Sequence, residues 1–213
     1  MLKKDFPIFE NNPTLVYLDS TASTQKPKFV IEAISSYLSN SYSNIHRWMY
    51  DIAIDSEKMY FDSKKKVAWI IWSKDFREII YTYNSTYALN LLTQTLRYNK
   101  ILKAWDKVLL SITEHHANIV PWLILKNEIW IEIDFVWVDD NYQIDFEDFS
   151  KKLTSNVKVV SFTQVSNVTW SIFDLEKIGE MIKTFSKDIL FVIDVSQSVP
   201  HYKIDVEKLK ADF

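Results

Sequence analysis

Four short apolar runs, each ending in polar residues, do most to limit what this chain can become. Three are Val108-Leu109-Leu110-Ser111-Ile112 before Thr113-Glu114-His115-His116, Val157-Lys158-Val159-Val160-Ser161-Phe162 before Gln164-Val165-Ser166-Asn167, and Ile189-Leu190-Phe191-Val192-Ile193 before Asp194-Val195-Ser196-Gln197. The fourth is Ile79-Ile80-Tyr81 before Asn84-Ser85-Thr86. Segments of helical pattern separate them. Continuous apolar runs in such alternation mark a parallel sheet covered on both faces, hence an α/β fold. In open α/β sheets ligands bind in the crevice beyond the carboxyl ends of the strands, so the polar clusters are expected to converge.

The pattern predicts strands near 79–83, 107–112, 131–136, 157–162 and 189–193. It predicts helices near 28–38, 55–70, 86–97, 117–126, 145–153, 174–186 and 205–210. Before them, Pro7, Pro13 and Pro27 break up an irregular first stretch. With 213 residues, 47% hydrophobic and 25% charged, the chain can bury a core. A net charge of -3 and the lack of a basic run interleaved with aromatics argue against nucleic acid as partner. No run of 18 apolar residues occurs, and Met1-Leu2-Lys3-Lys4 leads into no apolar segment, so no membrane is expected and a cytoplasmic location is. The absence of cysteine excludes a disulfide framework and a Cys-ligated metal or iron–sulfur site in this chain.

Several residues could carry chemistry, and each has a plainer reading. Asp194 at the mouth of a buried strand could pair with a protonated ring nitrogen; alone, it reads more simply as a turn or N-cap residue. Ser85 and Thr86 before a helix starting near Tyr87 suit a phosphate, and serve equally as ordinary caps. His115 is of a type that titrates near neutrality and can move protons. The His115-His116 doublet is a weak metal signal, and no metal is expected. The Asn167 amide can donate without bringing a charge. Arg47 could aid an anionic substrate, though surface arginine is the default.

Together these segments resemble the class V aminotransferase-fold enzymes that use pyridoxal 5'-phosphate, and most closely the SufS-type cysteine desulfurases. The likeness runs through Thr113-Glu114-His115-His116-Ala117-Asn118-Ile119-Val120-Pro121-Trp122, through residues 18–27, and through Asn44-Ile45-His46-Arg47, and it extends from Asp5 to Phe213. It implies the large domain of a fold type I transferase, mostly parallel with helices on both faces and truncated. Residues 1–60 would border the active site and 61–213 would form part of the cofactor domain.

By the same resemblance Asp194 faces the pyridine nitrogen of the cofactor and Gln197 its phenolic oxygen. His115 stacks on the ring and serves in proton transfer. Asn167 contacts the phenolate side and the substrate carboxylate, and Ala22, His46 and Arg47 line the substrate entrance. Ser85 and Thr86 hold the phosphate, although the family's Thr-Thr-Glu-Gly is Ser85-Thr86-Tyr87-Ala88 here. The implied activity is removal of sulfur from L-cysteine, giving alanine and a persulfide for iron–sulfur cluster assembly. The implied enzyme is a homodimeric transferase that passes sulfur to an acceptor protein. A selenocysteine lyase or another class V lyase or transaminase is the near alternative, and a non-catalytic remnant or binding module the alternative of another class. The family's Schiff-base lysine falls just past Phe213 and its nucleophilic cysteine further on. The chain carries neither, and is expected to be an inactive N-terminal half.

One number breaks the rules of this fold. Glycine occurs once, at Gly179, where average usage of about 7% would give roughly 15, while tryptophan occurs 8 times. Trp48, Trp105 and Trp170 stand where the resembled family has glycine, as do Trp72 and Trp130, whereas Trp122 belongs to the family's own Val-Pro-Trp. Tryptophan is a poor substitute where a turn needs positive φ. The pattern suggests a gene that uses UGA for glycine, translated with a table that reads UGA as tryptophan.

Overall fold

The computed structural model describes residues 2–45 and 49–213, so His46, Arg47 and Trp48 lie outside the described residues. Two compact units, Met1–Val67 and Ala68–Phe213, divide the chain, and each is described by itself. The first contains α1 (Pro7–Asn11) and α2 (Lys28–Asn40). Pro27 precedes the first turn of α2, where a missing N–H costs nothing. Next comes α3 (Asp51–Ile70), and a boundary after residue 60 falls inside it.

In the second unit, α4 (Ser85–Tyr98), β1 (Lys107–Ser111), α5 (Val120–Ile129) and β2 (Glu132–Val136) are followed by α6 (Phe146–Lys152), β3 (Val157–Thr163), α7 (Leu175–Phe185) and β4 (Leu190–Asp194). The strands pair in parallel in the order β2-β1-β3-β4. The two central strands are sealed on both sides: Val108, Leu109 and Leu110 of β1 and Val159, Val160 and Phe162 of β3 expose nothing to solvent. That explains why they read as continuous apolar runs.

Each face of the sheet has its own core. Val108, Leu110, Val159 and Val192 pack with Leu89 and Leu96 of α4 and Trp122 and Leu125 of α5. Leu109, Val160, Phe162 and Phe191 pack with Phe149 of α6 and Ile178 and Ile182 of α7 on the other side. Along β3, Val157 and Val160 share a face because the register slips between Lys107 and Val108 of β1, a bulge that shifts the alternation by one residue. The connection from β1 to β2 runs over one face and those from β2 to β3 and β3 to β4 over the other. Crossovers in opposite directions must do this to keep one handedness. The connections leaving β1 and β3 therefore diverge, opening a crevice between their carboxyl ends.

Four elements differ from the sequence reading, the first being the helix Pro7–Asn11 within the stretch read as irregular. Residues 79–83 are not a strand: no neighbour among the described residues offers them a ladder, and apolar content alone supplies no partner. Residues 205–210 form a single turn instead of a helix. Asp205 caps Glu207 and Lys208 at 3.1 and 2.9 Å, and Lys210, at φ 56°, ends it. The helix expected at 117–126 becomes a 3-10 turn, His116–Asn118, followed by α5, because Pro121 can stand only in a first turn.

Candidate active site

Glu114 organises the crevice between β1 and β3. The loop leaving β1 turns its carboxylate inward, where it is buried. One oxygen, Oε1, accepts hydrogen bonds from Ser111 Oγ at 2.5 Å and from the Thr163 backbone N–H at 2.8 Å. The other, Oε2, accepts from Asn118 Nδ2 at 2.7 Å. Asn118 Oδ1 in turn accepts from Ser161 Oγ of β3 at 2.7 Å and from the Trp122 indole N–H of α5 at 3.2 Å. The loop is thus tied to β3 on one side and α5 on the other. Burial pushes the Glu114 carboxyl up to about 7; the bonds from Ser111, Thr163 and Asn118 oppose this, and the charge of Asp194 adds to it.

Between Glu114 and Asn118 stands His115, exposed, with Nδ1 accepting from the Ala117 N–H at 3.1 Å. That contact leaves Nε2 as the outward ring nitrogen. Thr163, bonded to Glu114, pairs with Asp194 across β3 and β4. Asp194 Oδ1 accepts from the Ser196 N–H at 2.9 Å, and its Oδ2 has no hydrogen-bond partner among the described residues. Ser196 Oγ meets Ser85 Oγ at 2.9 Å, which brings the start of α4 to the same edge. Asn167 and Gln197, both half-buried, lie in the loops that follow β3 and β4. Beside them, Ser166 Oγ holds its loop by accepting from the Val168 and Thr169 N–H groups at 3.3 and 3.2 Å.

His115, Asp194, Gln197, Asn167, Ser85 and Thr86 therefore all stand at the carboxyl edge of one sheet or in the loops leaving it. One detail changes for the pair in α4. The helix starts at Ser85, with Asn84 as its cap accepting from the Tyr87 N–H at 2.8 Å, so Ser85 and Thr86 occupy the first turn rather than preceding it. Their backbone N–H groups have no intrahelical acceptor and are open to an anion. Ala22 lies exposed in a turn of the first unit, and His46 and Arg47 lie outside the described residues. Sequence reasoning missed Glu114, Asn118 and Thr163. Their only signal was the recurrence of carboxylate, amide and hydroxyl just past buried strands.

The edge suits a ring that bears both an anion and a basic nitrogen. Its groups are a carboxylate with one uncommitted oxygen, helix N–H groups open to phosphate, an amide, and a histidine with an outward nitrogen. Gln164 adds a buried side-chain oxygen, Oε1, without a hydrogen-bond partner at the end of β3. A buried orphan acceptor is costly, and a donor at this edge would satisfy it. Among the described residues no group of three His, Asp or Glu side chains is placed to hold a metal ion, and no helix is long and apolar enough to cross a membrane.

A family model described as Aminotransferase class-V matches residues 16–213. The chain is 33% identical over 215 residues to a probable cysteine desulfurase of Synechocystis, with 100% of this chain and 50% of that protein covered. It is 35% identical over 212 residues to a probable cysteine desulfurase of Pyrococcus abyssi, covering 51% of it. With the cysteine desulfurase SufS of Plasmodium falciparum the identity is 34% over 210 residues, 38% of that protein. Among solved structures, the apo cysteine desulfurase of Thermococcus onnurineus superposes with a TM-score of 0.90 at 32% identity, over 99% of this chain and 50% of that one. The chain spans about half the length, or less, of the curated relatives it matches.

Proposed function

The chain belongs to the class-V aminotransferase family, and on that premise we propose that it forms the cofactor-binding part of a pyridoxal-phosphate-dependent cysteine desulfurase. One observation carries the reading: Asp194, His115 and the first turn of α4 meet at a single sheet edge, joined through Thr163 and Ser196. Asp194 would hold the ring nitrogen, Ser85 and Thr86 the phosphate, Gln197 and Asn167 the phenolic oxygen, and His115 would cover the ring. When bound, the group supplies an electron-withdrawing ring that accepts the electron pair released at a substrate carbon.

The chain's own residues hold and orient. Asp194 is pinned through Oδ1 by the Ser196 N–H, which leaves Oδ2 to accept at the mouth of the sheet. His115, whose Nδ1 accepts the Ala117 N–H, carries its ring proton on Nε2, so the outward nitrogen presents an N–H that can donate in a proton transfer. The Asn167 amide can donate to a carboxylate, as an amino-acid substrate requires. The substrate proposed is L-cysteine, with alanine and a persulfide as products, passed to a sulfur-acceptor protein for iron–sulfur cluster assembly. A cytoplasmic homodimer completes the reading. Titration of the purified chain with pyridoxal 5'-phosphate tests it. Saturable binding, competed by inorganic phosphate and weakened by Asp194→Ala, is the expected result. No binding, or binding indifferent to Asp194→Ala, overturns the cofactor assignment.

A further inference from the structure

Four of the described tryptophans, Trp72, Trp105, Trp130 and Trp170, have left-handed backbones, with φ of 58°, 72°, 61° and 60°. For a bulky side chain this region is a steric outlier. Each also stands in a closure that favours glycine, although Lys100 and Lys210 hold the same kind of closure at φ of 55° and 56°. After α3, Trp72 N–H bonds the Trp69 carbonyl at 3.4 Å and Ser73 N–H the Ala68 carbonyl at 2.9 Å, the paired bonds of a Schellman cap centred on residue 72. At the end of α5, Trp130 N–H bonds the Lys126 carbonyl at 2.9 Å, the single-bond form of the same cap. Trp105 is third in the turn closed by Asp106 N–H on the Lys103 carbonyl at 3.1 Å, where a type II turn requires positive φ. Trp170 N–H closes the Asn167 loop on the Ser166 carbonyl at 3.1 Å.

Little packing offsets this strain: the four indoles are between 50% and 68% exposed, and Trp170 meets the His201 ring edge-on at 6.0 Å. Trp122 is the opposite case: helical, fully buried, and hydrogen-bonded to Asn118. From backbone and burial together we infer that the natural protein carries glycine at positions 72, 105, 130 and 170 and tryptophan at 122. A UGA codon read as glycine in the cell would restore four of the missing glycines and remove four of the 8 tryptophans at once. The one glycine written as such, Gly179, shows how firmly this fold demands the residue: a Cβ there would run into the Leu209 backbone carbonyl. The groove lined by Trp105, Lys126, Trp130 and Glu132 carries no ligand proposal, since two of its walls are these indoles.

Codons and peptide masses decide the matter. UGA at the four positions, UGG at 122, and native peptides lighter at each of the four by the difference between an indolylmethyl group and hydrogen are expected. UGG at the four, or tryptophan in the native peptides, overturns it. In the chain as written, Trp105→Gly and Trp130→Gly should raise the thermal midpoint while Trp122→Gly lowers it; a fall at 105 or 130 counts against that position.

The Glu114 network runs in one direction. The Trp122 indole can only donate, so Asn118 must turn Oδ1 toward it and Nδ2 toward Glu114. Glu114 must then accept on Oε2, and the Thr163 N–H requires it to accept on Oε1 as well. We propose that Glu114 is a positioning residue that fixes His115 over the crevice through this one-way chain of donors; its importance to catalysis rests on the function proposed above. Glu114→Gln would set an NH2 against the Asn118 NH2. Adding Trp122→Phe frees the Asn118 amide to turn over and restores a donor-to-acceptor chain.

Hydrogen exchange at the Ala117 N–H, which bonds His115 Nδ1, reads the outcome without any cofactor. Faster exchange in Glu114→Gln than in Trp122→Phe, with recovery in the double variant, is expected. Unchanged exchange in Glu114→Gln, or no recovery in the double variant, overturns the proposal. A failure to bind pyridoxal 5'-phosphate would instead count against the proposed function alone.

Discussion

Glu114 of the β1 loop accepts a hydrogen bond from the Thr163 N–H at the end of β3, at 2.8 Å, and so closes the crevice between the two central strands with a carboxylate. Burying a carboxylate is costly unless it is protonated or well bonded. This site allows both. When protonated on Oε1, Glu114 can donate to Ser111 Oγ, which then donates to Thr113 Oγ1 at 2.8 Å.

Stability should therefore depend on pH with a definite sign. The Glu114 carboxyl lies at about 7 in the folded chain against 4.5 for the ordinary group. Below the lower value both states are protonated, and the contribution is fully present. As pH rises through the window the unfolded chain ionises first, so the unfolding free energy falls, by about 3 kcal/mol at the upper end. Asp62, Asp75 and Asp148, whose carboxyls are held below the usual range, act only at lower pH. Urea unfolding at pH 5 and pH 8 should show the loss, and Glu114→Gln should remove the slope whatever its absolute stability. An equal slope in both proteins would refute the assignment.

Asp194→Asn keeps the shape and Oδ1 but removes the charge. Hydrogen bonds to charged groups contribute about 1.5–3 kcal/mol, so pyridoxal 5'-phosphate should bind roughly ten- to a hundredfold more weakly. Inhibition by free phosphate should be unchanged if, as proposed, phosphate engages the start of α4. Equal losses for both ligands would place Asp194 at the phosphate instead.

The chain has no cysteine and so no thiol to take up sulfur. Incubated with L-cysteine and pyridoxal 5'-phosphate, it should form alanine no faster than the free cofactor does. Alanine formed above that background would mean that another group accepts the sulfur.

How much could be read in advance depended on whether local sequence held the cause. The buried strands were legible because β1 and β3 are apolar on both faces, with Val108 and Val159 on one and Leu109 and Val160 on the other. The site was legible as polar residues at the ends of those runs. Residues 79–83 were not, since a strand exists only with a partner. Nor was Glu114, because nothing in its local sequence shows that the Thr163 N–H at the end of β3 comes to bond its carboxylate. Trp105 and Trp130 could be suspected from glycine's absence, but only φ of 72° and 61° ties the suspicion to strain.

That strain gives the last prediction its magnitude. A residue held in a left-handed backbone costs on the order of 1–3 kcal/mol. Glycine relieves this, though it also adds entropy to the unfolded chain, a loss of about 0.4–1 kcal/mol. Since the indoles of Trp105 and Trp130 are 67% and 68% exposed, little packing is lost with them. Each change to glycine should thus gain roughly 1 kcal/mol, a rise of about 2–4 °C in Tm for a domain of this size. Trp122→Ala removes a side chain with no exposed area and orphans Asn118 Oδ1 in part, and should cost about 3–5 kcal/mol. Calorimetry on the three variants checks the contrast. If Trp105→Gly and Trp130→Gly lose stability as Trp122→Ala does, those indoles stabilise the fold, and the glycine assignment fails at both turns.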